Sequence, residues 1–207
     1  PSISKIIITA LILRVLLILY GHYISPLPDS GADAVTFERN ALQLSKFGFI
    51  SLMNEFTGPS PDFISWIIAI PYSLFGRSII MAQSISLLFG LGSIYLAWLI
   101  AYEIWGRGIA NKVGWTIAFF PSVILYSVLI LREVYIVFFL LLALYGITSW
   151  LKTNSIKSLI VSTIGFTGSI FFHGGLLVGA LIFMIIVLYT SIVNLFKSFI
   201  NLKINLK

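Results

Sequence analysis

Residues 3–24, with the sequence ISKIIITALILRVLLILYGHYI, form an apolar run whose interior contains a single charge, Arg14. A helix needs roughly 20 predominantly apolar residues to cross the hydrocarbon core of a bilayer, and this run is long enough. It is too long for the core of a signal peptide and lacks an A-x-A-like cleavage site, so the sequence predicts a retained transmembrane helix. An arginine inside such a helix is costly unless it is paired, so we expect Arg14 to have a buried pairing role.

The composition of the whole chain indicates a membrane protein. Of its 207 residues, 59% are hydrophobic and 10% are charged, whereas a soluble domain carries about 25% charged residues. A soluble fold of this length could not cover so much apolar surface with polar groups. The net charge of +6 does not indicate a nucleic-acid partner, because the Lys and Arg residues lie at the ends of apolar runs. The chain has no cysteine, so it has no disulfide and no cysteine-based metal site.

Five further apolar runs predict transmembrane helices, at residues 78–102, 113–131, 134–151, 156–172 and 175–196. The run at 62–75 is short and contains Pro71, so we interpret it as an interfacial or re-entrant helix. Backbone polar groups in lipid must be paired within the segment, so each span should be helical. The expected fold is an all-α, polytopic membrane bundle of about six transmembrane helices. Residues 1–207 form one transmembrane domain, in which residues 25–77 are a long outer loop with amphipathic helices.

Lys and Arg near the span ends predict the orientation, since cytoplasmic loops are enriched in them. If the N-terminus is cytoplasmic, eight of these residues are cytoplasmic, namely Lys5, Arg107, Lys112, Lys152, Lys157, Lys197, Lys203 and Lys207. Four lie on the outer side, namely Arg39, Lys46, Arg77 and Arg132. Every acidic residue except Glu103 also falls on the outer side. We therefore predict a multi-pass protein of a bacterial or archaeal plasma membrane, with its polar chemistry on the outer face.

The outer loop contains the first group of candidate functional residues. Asp33 follows a turn at Gly31 and is expected to be the N-cap of a surface helix that runs to about Phe47. Asp33 either only caps this helix or also has a catalytic or ligand-binding role. Glu38 and Arg39 either form a solvated face or a local ion pair, or they bind a substrate.

A second group of candidates lies at two tight turns on the same predicted face. Arg132 and Glu133 lie where the third span turns into the fourth. A charged side chain at the edge of the hydrocarbon core is unfavourable unless it is paired or has a function. They either pair with the outer loop, or Glu133 faces a cavity beside Asp33 while Arg132 binds an anion such as phosphate. His173 is either a hydrogen-bonded filler or a donor to phosphate that shuttles protons near neutral pH.

The order and sidedness of these motifs resemble the GT-C superfamily of membrane glycosyltransferases, in particular the protein O-mannosyltransferase and aminoarabinose-transferase branch. Gly31-Ala32-Asp33-Ala34 and Phe37-Glu38-Arg39-Asn40-Ala41 look like the motif of the first outer loop. Leu131-Arg132-Glu133 looks like the acidic motif between spans three and four. Short segments whose composition is similar to that of the family lie at residues 71–76, 105–110 and 118–122. Relatives have more spans, so the resemblance implies that this chain is an N-terminal fragment or a reduced member.

The resemblance implies an enzyme that transfers a sugar from a polyprenyl-phosphate-linked donor to a glycan, lipid or protein acceptor at the outer face. Asp33 would be the general base, and Glu133 would orient the acceptor or a cation. Arg132 and His173 would stabilise the leaving phosphate. Many relatives have two adjacent acids in the first loop, but here Ala34 follows Asp33, so no adjacent acidic pair supports a divalent metal.

Three other functions are compatible with the sequence. A polysaccharide polymerase of the O-antigen type would use the same face and similar lipid substrates. A small transporter would place polar residues near the bilayer midplane on broken helices, whereas the charges here, apart from Arg14, lie at span ends. A non-catalytic membrane subunit would have no need to bring Asp33 and Glu133 together.

Overall fold

The computed structural model describes residues 2–54, 56, 58–187 and 189, and these residues contain helices and no strands. The helices are α1 (Ile3–Tyr23), α2 (Ala32–Ser45), α3 (Phe49–Asn54), α4 (Phe63–Phe75), α5 (Ile79–Trp105), α6 (Arg107–Phe119), α7 (Pro121–Val128), α8 (Glu133–Thr153), α9 (Ile156–Phe172) and α10 (Gly174–Val187). The first turn of α10 is a 3-10 helix. The predicted all-α class is therefore confirmed for the described part of the chain.

Three helices in the described residues, α1, α5 and α8, are long and apolar enough to cross a membrane. The pair α6 and α7 would be a fourth span if the two helices cross together. Helix α9 is apolar but has only 17 residues, and α10 is also short. The predicted sixth span, 175–196, extends into residues outside the described part. These helices are consistent with a membrane protein of three to four spans.

The prediction of one continuous helix over residues 113–131 is wrong. Helix α6 ends at Phe119, α7 begins at Pro121, and the two helices are bent by 59°. Pro121 occupies the first position of α7, where its missing N–H costs nothing, whereas in the interior of a helix it would remove a hydrogen bond. Proline therefore explains why the chain changes direction at Phe120.

Apolar side chains cover the outward faces of the long helices. Exposed examples are Ile12 on α1, Leu88 on α5, Leu144 on α8 and Ile160 on α9. Large exposed apolar surfaces are rare on soluble monomers. In a bilayer the same side chains contact lipid, which is the expected environment for this bundle.

Small residues let neighbouring helices approach closely. A Cβ atom added at Gly165 of α9 would lie 2.3 Å from the backbone nitrogen of Ala143 on α8, and one added at Gly146 of α8 would lie 2.4 Å from the backbone nitrogen of Ser162. Contact between backbones through small residues is the usual way in which membrane helices pack. The α8–α9 pair is therefore held by close packing of glycine, alanine and serine.

Arg14 pairs inside the protein, as predicted. Its side chain is fully buried, and Nε donates to Ser127 Oγ over 2.8 Å. Nη1 donates to the carbonyl oxygens of Ala10 and Ala118, each over 3.2 Å. Ala118 lies next to the break between α6 and α7, where helical carbonyls lose their partners. Arg14 thus joins α1 to both halves of the broken helix.

The described residues of 25–77, which the sequence predicts on the outer side and which we call the outer segment, share an apolar core with the bundle. Helix α4 contains Pro71, as the sequence indicated, and it lies against α2. Phe37 and Ala41 of α2 are buried against Ile64 and Ile68 of α4. This packing fixes α2, and with it the start of α2 that carries Asp33.

Candidate functional site

The C-terminal end of α1 and the N-terminal ends of α5 and α8 lie at the same end of the bundle. Gly21, Ile79 and Leu129 line one shared depression there. At the opposite end of the bundle, Lys152 of α8 forms an ion pair with Glu103 of α5 over 3.2 Å. Asp29, Asp33, Glu38 and Glu133, which were predicted for the outer side, therefore lie at one end of the helices, and Glu103 lies at the other.

A pocket of about 540 Å³ lies at this acidic end. We call it the acidic pocket, and its walls are Asp29, Gly31, Ala32, Asp33, Tyr126, Leu131 and Glu133. Asp33 and Glu133 thus meet in one cavity, although they lie in distant parts of the sequence. This is the arrangement that the sequence predicted if Glu133 faces a cavity beside Asp33.

Asp33 does not cap its helix, and that prediction is wrong. Helix α2 begins at Ala32, its N-cap residue is Gly31, and no side chain makes the capping hydrogen bond. Asp33 therefore lies within the first turn, where a negative charge is favourable next to the positive end of the helix dipole. Its side chain is exposed and remains available to a ligand.

The backbone that leads to Asp33 is strained. Asp29 has a φ of 58° and Ala32 a φ of 41°, a region that residues other than glycine rarely adopt. Such conformations cost on the order of 1–3 kcal/mol each and are concentrated at functional sites. Both residues line the acidic pocket, so the strain lies in the wall of the candidate site.

Glu133 enters the acidic pocket from the first turn of α8. Its Oε1 lies 3.6 Å from Nε of Arg132. Within the described part of the chain, its Oε2 is buried and has no hydrogen-bond partner. Arg132 is partly exposed and lies beside the pocket, outside the residues that form its walls. Arg132 and Glu133, which are adjacent in sequence, therefore pair with each other. Within the described residues, one carboxylate oxygen of Glu133 has no hydrogen-bond partner.

Glu38 forms a buried ion pair and is not a solvated residue. Its carboxylate accepts hydrogen bonds from Arg77 over 2.8 and 3.0 Å and from the Tyr72 hydroxyl over 3.2 Å. Burial, and then the charge of Glu38, raise the pKa of Tyr72, while the hydrogen bond to Glu38 raises the pKa of Arg77. Glu38 therefore uses both oxygens to hold the outer segment together.

The other two predicted substrate-binding residues lie outside the acidic pocket. Arg39 is exposed on α2, and His173 is exposed at the end of α9. Neither residue lines the cavity that contains Asp33 and Glu133. The structure thus brings together the two predicted catalytic acids, with Arg132 beside Glu133, but it does not bring Arg39 or His173 to them.

Sequence reasoning missed two residues of the pocket, Asp29 and Tyr126. Asp29 belongs to the same polar loop as Asp33, and its position after Pro28 was an available signal for a turn. Tyr126 reaches the pocket because α7 turns away from α6, and Pro121 was an available signal for that bend.

The acidic pocket has three carboxylates in its walls, from Asp29, Asp33 and Glu133, and one phenol from Tyr126. In the described residues, no three His, Cys, Asp or Glu side chains are grouped in a way that could hold a metal ion. Carboxylates in this setting accept hydrogen bonds from hydroxyl groups and can accept a proton from one. The pocket is therefore suited to a polyhydroxylated or protic substrate.

No family model, curated protein or solved structure matches this chain.

Proposed function

We propose that this protein is a membrane glycosyltransferase that transfers a sugar from a polyprenyl-phosphate-linked donor to an acceptor at the outer membrane face. One observation carries the proposal: Asp33 and Glu133 line the same cavity at the acidic end of the bundle. The proposal includes a cytoplasmic N-terminus and six spans, with α9 and α10 as short fifth and sixth spans.

The proposed reaction is a displacement at the anomeric carbon of the donor sugar. An acceptor hydroxyl attacks this carbon while Asp33 accepts the hydroxyl proton. The new bond joins the acceptor oxygen to the anomeric carbon. The bond from that carbon to the phosphate oxygen breaks, and the polyprenyl phosphate leaves with the electron pair.

The two acids differ in ways that support different roles. Asp33 is exposed in the first turn of α2, and its side chain has no hydrogen bond or ion pair within the described part of the chain, which suits a base that meets a diffusing acceptor. Glu133 is held beside Arg132 with one oxygen unpartnered in the described residues, which suits an orienting role toward the acceptor. Arg132 would contact the leaving phosphate at the rim of the pocket.

The position of the pocket suits a lipid-linked donor. It opens at the end of helices whose outer faces are apolar, so a polyprenyl chain can remain in the bilayer while its phosphate and sugar reach the polar end. Leu131 lines the pocket beside Glu133 and is buried. Apolar and acidic surfaces therefore meet where such a headgroup would lie.

Substitution of Asp33 by Asn tests the assignment. In membranes whose polyprenyl-linked sugars carry a radiolabel, Asp33→Asn should reduce sugar transfer at least ~100-fold, the usual lower contribution of a general base. Glu133→Gln should also reduce transfer. The control is Glu103→Gln, which removes a carboxylate from the opposite end of the bundle and should retain activity.

Two results would contradict the proposal. The first is sugar transfer by Asp33→Asn at the wild-type rate. The second is an equal loss of transfer in Glu103→Gln, which would mean that any missing carboxylate disturbs the fold and that the pocket has no special role.

A further inference from the structure

A second polar cavity, of about 370 Å³, lies between α2, α4 and the segment that precedes α4. We call it the aromatic pocket, because Phe47, Phe56, Phe63 and Trp66 are among its walls. Its volume falls in the range of small-molecule sites, roughly 300–1,000 Å³. It shares no wall residue with the acidic pocket.

The aromatic wall is built by ring contacts. The Phe56 and Trp66 ring centroids lie 5.0 Å apart, and the Phe63 and Trp66 rings are stacked at 5.8 Å. The indole N–H of Trp66 donates to the Leu52 carbonyl oxygen over 3.1 Å, which fixes the ring. Phe47 is 58% exposed and Phe56 is 42% exposed, so ring surface remains free for a ligand.

Planar polar side chains face the same cavity. Asn40, Gln43 and Asp62 line it, and the Asn40 amide donates to the Asp62 carboxylate over 3.5 Å. An amide both donates and accepts, and a carboxylate accepts at two oxygens, so these groups can bond adjacent hydroxyls. Ser65 also lines the pocket, and within the described residues its buried hydroxyl oxygen has no partner. A buried polar group without a partner is unusual in a folded protein.

Aromatic rings beside planar amide and carboxylate groups complement a sugar. One face of a sugar ring presents C–H groups, which pack against the negative face of an aromatic ring. The ring edge presents hydroxyls, which donate to and accept from amides and carboxylates. Among the described residues that line this pocket there is no Lys, Arg or His, so these walls offer no cation to an anionic ligand.

We propose that the aromatic pocket binds a neutral sugar unit. Phe47 and Phe56 stack on the ring, while Asn40, Gln43 and Asp62 bond its hydroxyls. Asn40 lies seven residues after Asp33, which is two turns and about 10 Å along the same side of α2. A short glycan bound here therefore extends toward the acidic pocket. The binding proposal stands whether or not Asp33 and Glu133 catalyse transfer.

Saturation-transfer NMR on the full chain in phosphatidylcholine nanodiscs tests this binding. The probes are the methyl glycosides of glucose, galactose, mannose and N-acetylglucosamine, with methyl glucuronide as the anionic comparison. Irradiation of aromatic protons should transfer saturation to at least one neutral glycoside. Asn40→Ala and Asp62→Ala should each weaken its binding about tenfold, as expected for one lost hydrogen bond.

The matched control is Asn54→Ala, which removes an exposed amide from the same outer segment but outside the pocket. It should bind the glycoside as the wild type does. Absence of transfer to all four neutral glycosides would overturn the proposal, and so would preference for the glucuronide. Equal saturation transfer to the glycoside in Asn40→Ala, Asp62→Ala and the control would also overturn the proposal. In that case the aromatic side chains would contact lipid headgroups. Sugar binding by a protein that is inactive in sugar transfer would reject only the proposed function.

Discussion

Glu38 links three parts of the outer segment through one carboxylate. It lies on α2, accepts from Tyr72 on α4, and accepts from Arg77 just before α5. The carboxylate is buried, whereas the Arg77 side chain is half exposed. A buried carboxylate without its cation would be strongly unfavourable, so this residue maintains the position of α2 and the acidic pocket.

The environment of Tyr72 predicts a pH dependence of stability. Its pKa in the folded protein is raised above the usual value of about 10. The folded state therefore keeps this proton after the unfolded chain has lost it, so the stabilisation is complete below about pH 10 and is lost as the pH rises through the folded pKa. We expect the unfolding temperature to fall above pH 10, with a slope of at most about 1.4 kcal/mol per pH unit from this group.

Thermal unfolding of the detergent-solubilised protein measures this effect. The fall above pH 10 should be less steep in Tyr72→Phe than in the wild type. Tyr95→Phe, which changes an exposed tyrosine on α5, should retain the wild-type slope. Parallel curves for all three proteins would show that Tyr72 does not contribute.

Individual residues of the acidic pocket were only partly predictable. Asp33 and Glu133 were recognisable because charges at the ends of apolar runs need a partner or a use. The burial of Glu38 was not recognisable, because its partner Arg77 lies 39 positions away and only the packing of α2 on α4 brings them together. The local sequence shows which side chains are polar, but it does not show which of them contact one another in the fold.

The α8–α9 pair shows how an element depends on single glycines. Helix α9 has 17 residues and contacts α8 along its length through Gly165, Ser158 and Ser162. The Cβ atom that an alanine would add at Gly165 points at the backbone of Ala143, which cannot move as a flexible side chain can.

Alanine at Gly165 should therefore destabilise the protein. The overpacked contact should lower the free energy of unfolding by about 1–3 kcal/mol, because α8 and α9 must separate. The matched control is Gly108→Ala on α6, where an added Cβ meets no atom within 4 Å. Gly108→Ala should leave the free energy of unfolding unchanged or raise it by at most about 1 kcal/mol, because alanine has a higher helix propensity than glycine. Equal thermal stability of the two variants would contradict the packing argument.

Helix boundaries were predictable to within a few residues, but helix directions were not. Residues 3–24 and 156–172 correspond to α1 and α9. The apolar run at 113–131 continues through Pro121, so a count of apolar residues cannot detect the 59° bend. Pro121 begins α7 at the bend, and Arg14 of another helix donates to the Ala118 carbonyl beside it.

At the scale of the whole molecule, polar groups divide between two ends. The acidic pocket and the Glu38–Arg77 ion pair lie at one end, and the Glu103–Lys152 ion pair lies at the other. This division agrees with the two sides predicted from the Lys and Arg distribution. The six-span topology with a cytoplasmic N-terminus remains a prediction.

The absence of native cysteine makes that topology directly measurable. We expect a membrane-impermeant maleimide to label Asn54→Cys in intact cells, because residue 54 belongs to the outer segment. Thr153→Cys, at the last residue of α8, should be labelled only after the membrane is permeabilised. Both side chains are exposed, so access through the bilayer decides the result. The reverse pattern of labelling would invert the orientation.

Arg14 also constrains how the chain assembles during synthesis. Its partner Ser127 is 113 positions downstream, so α1 leaves the ribosome long before α7 exists. Until then, an arginine near the centre of a membrane-inserted helix costs roughly 2.5–3.5 kcal/mol on the scale of translocon insertion. If α1 crosses the membrane, it therefore carries this cost until α6 and α7 pack against Arg14.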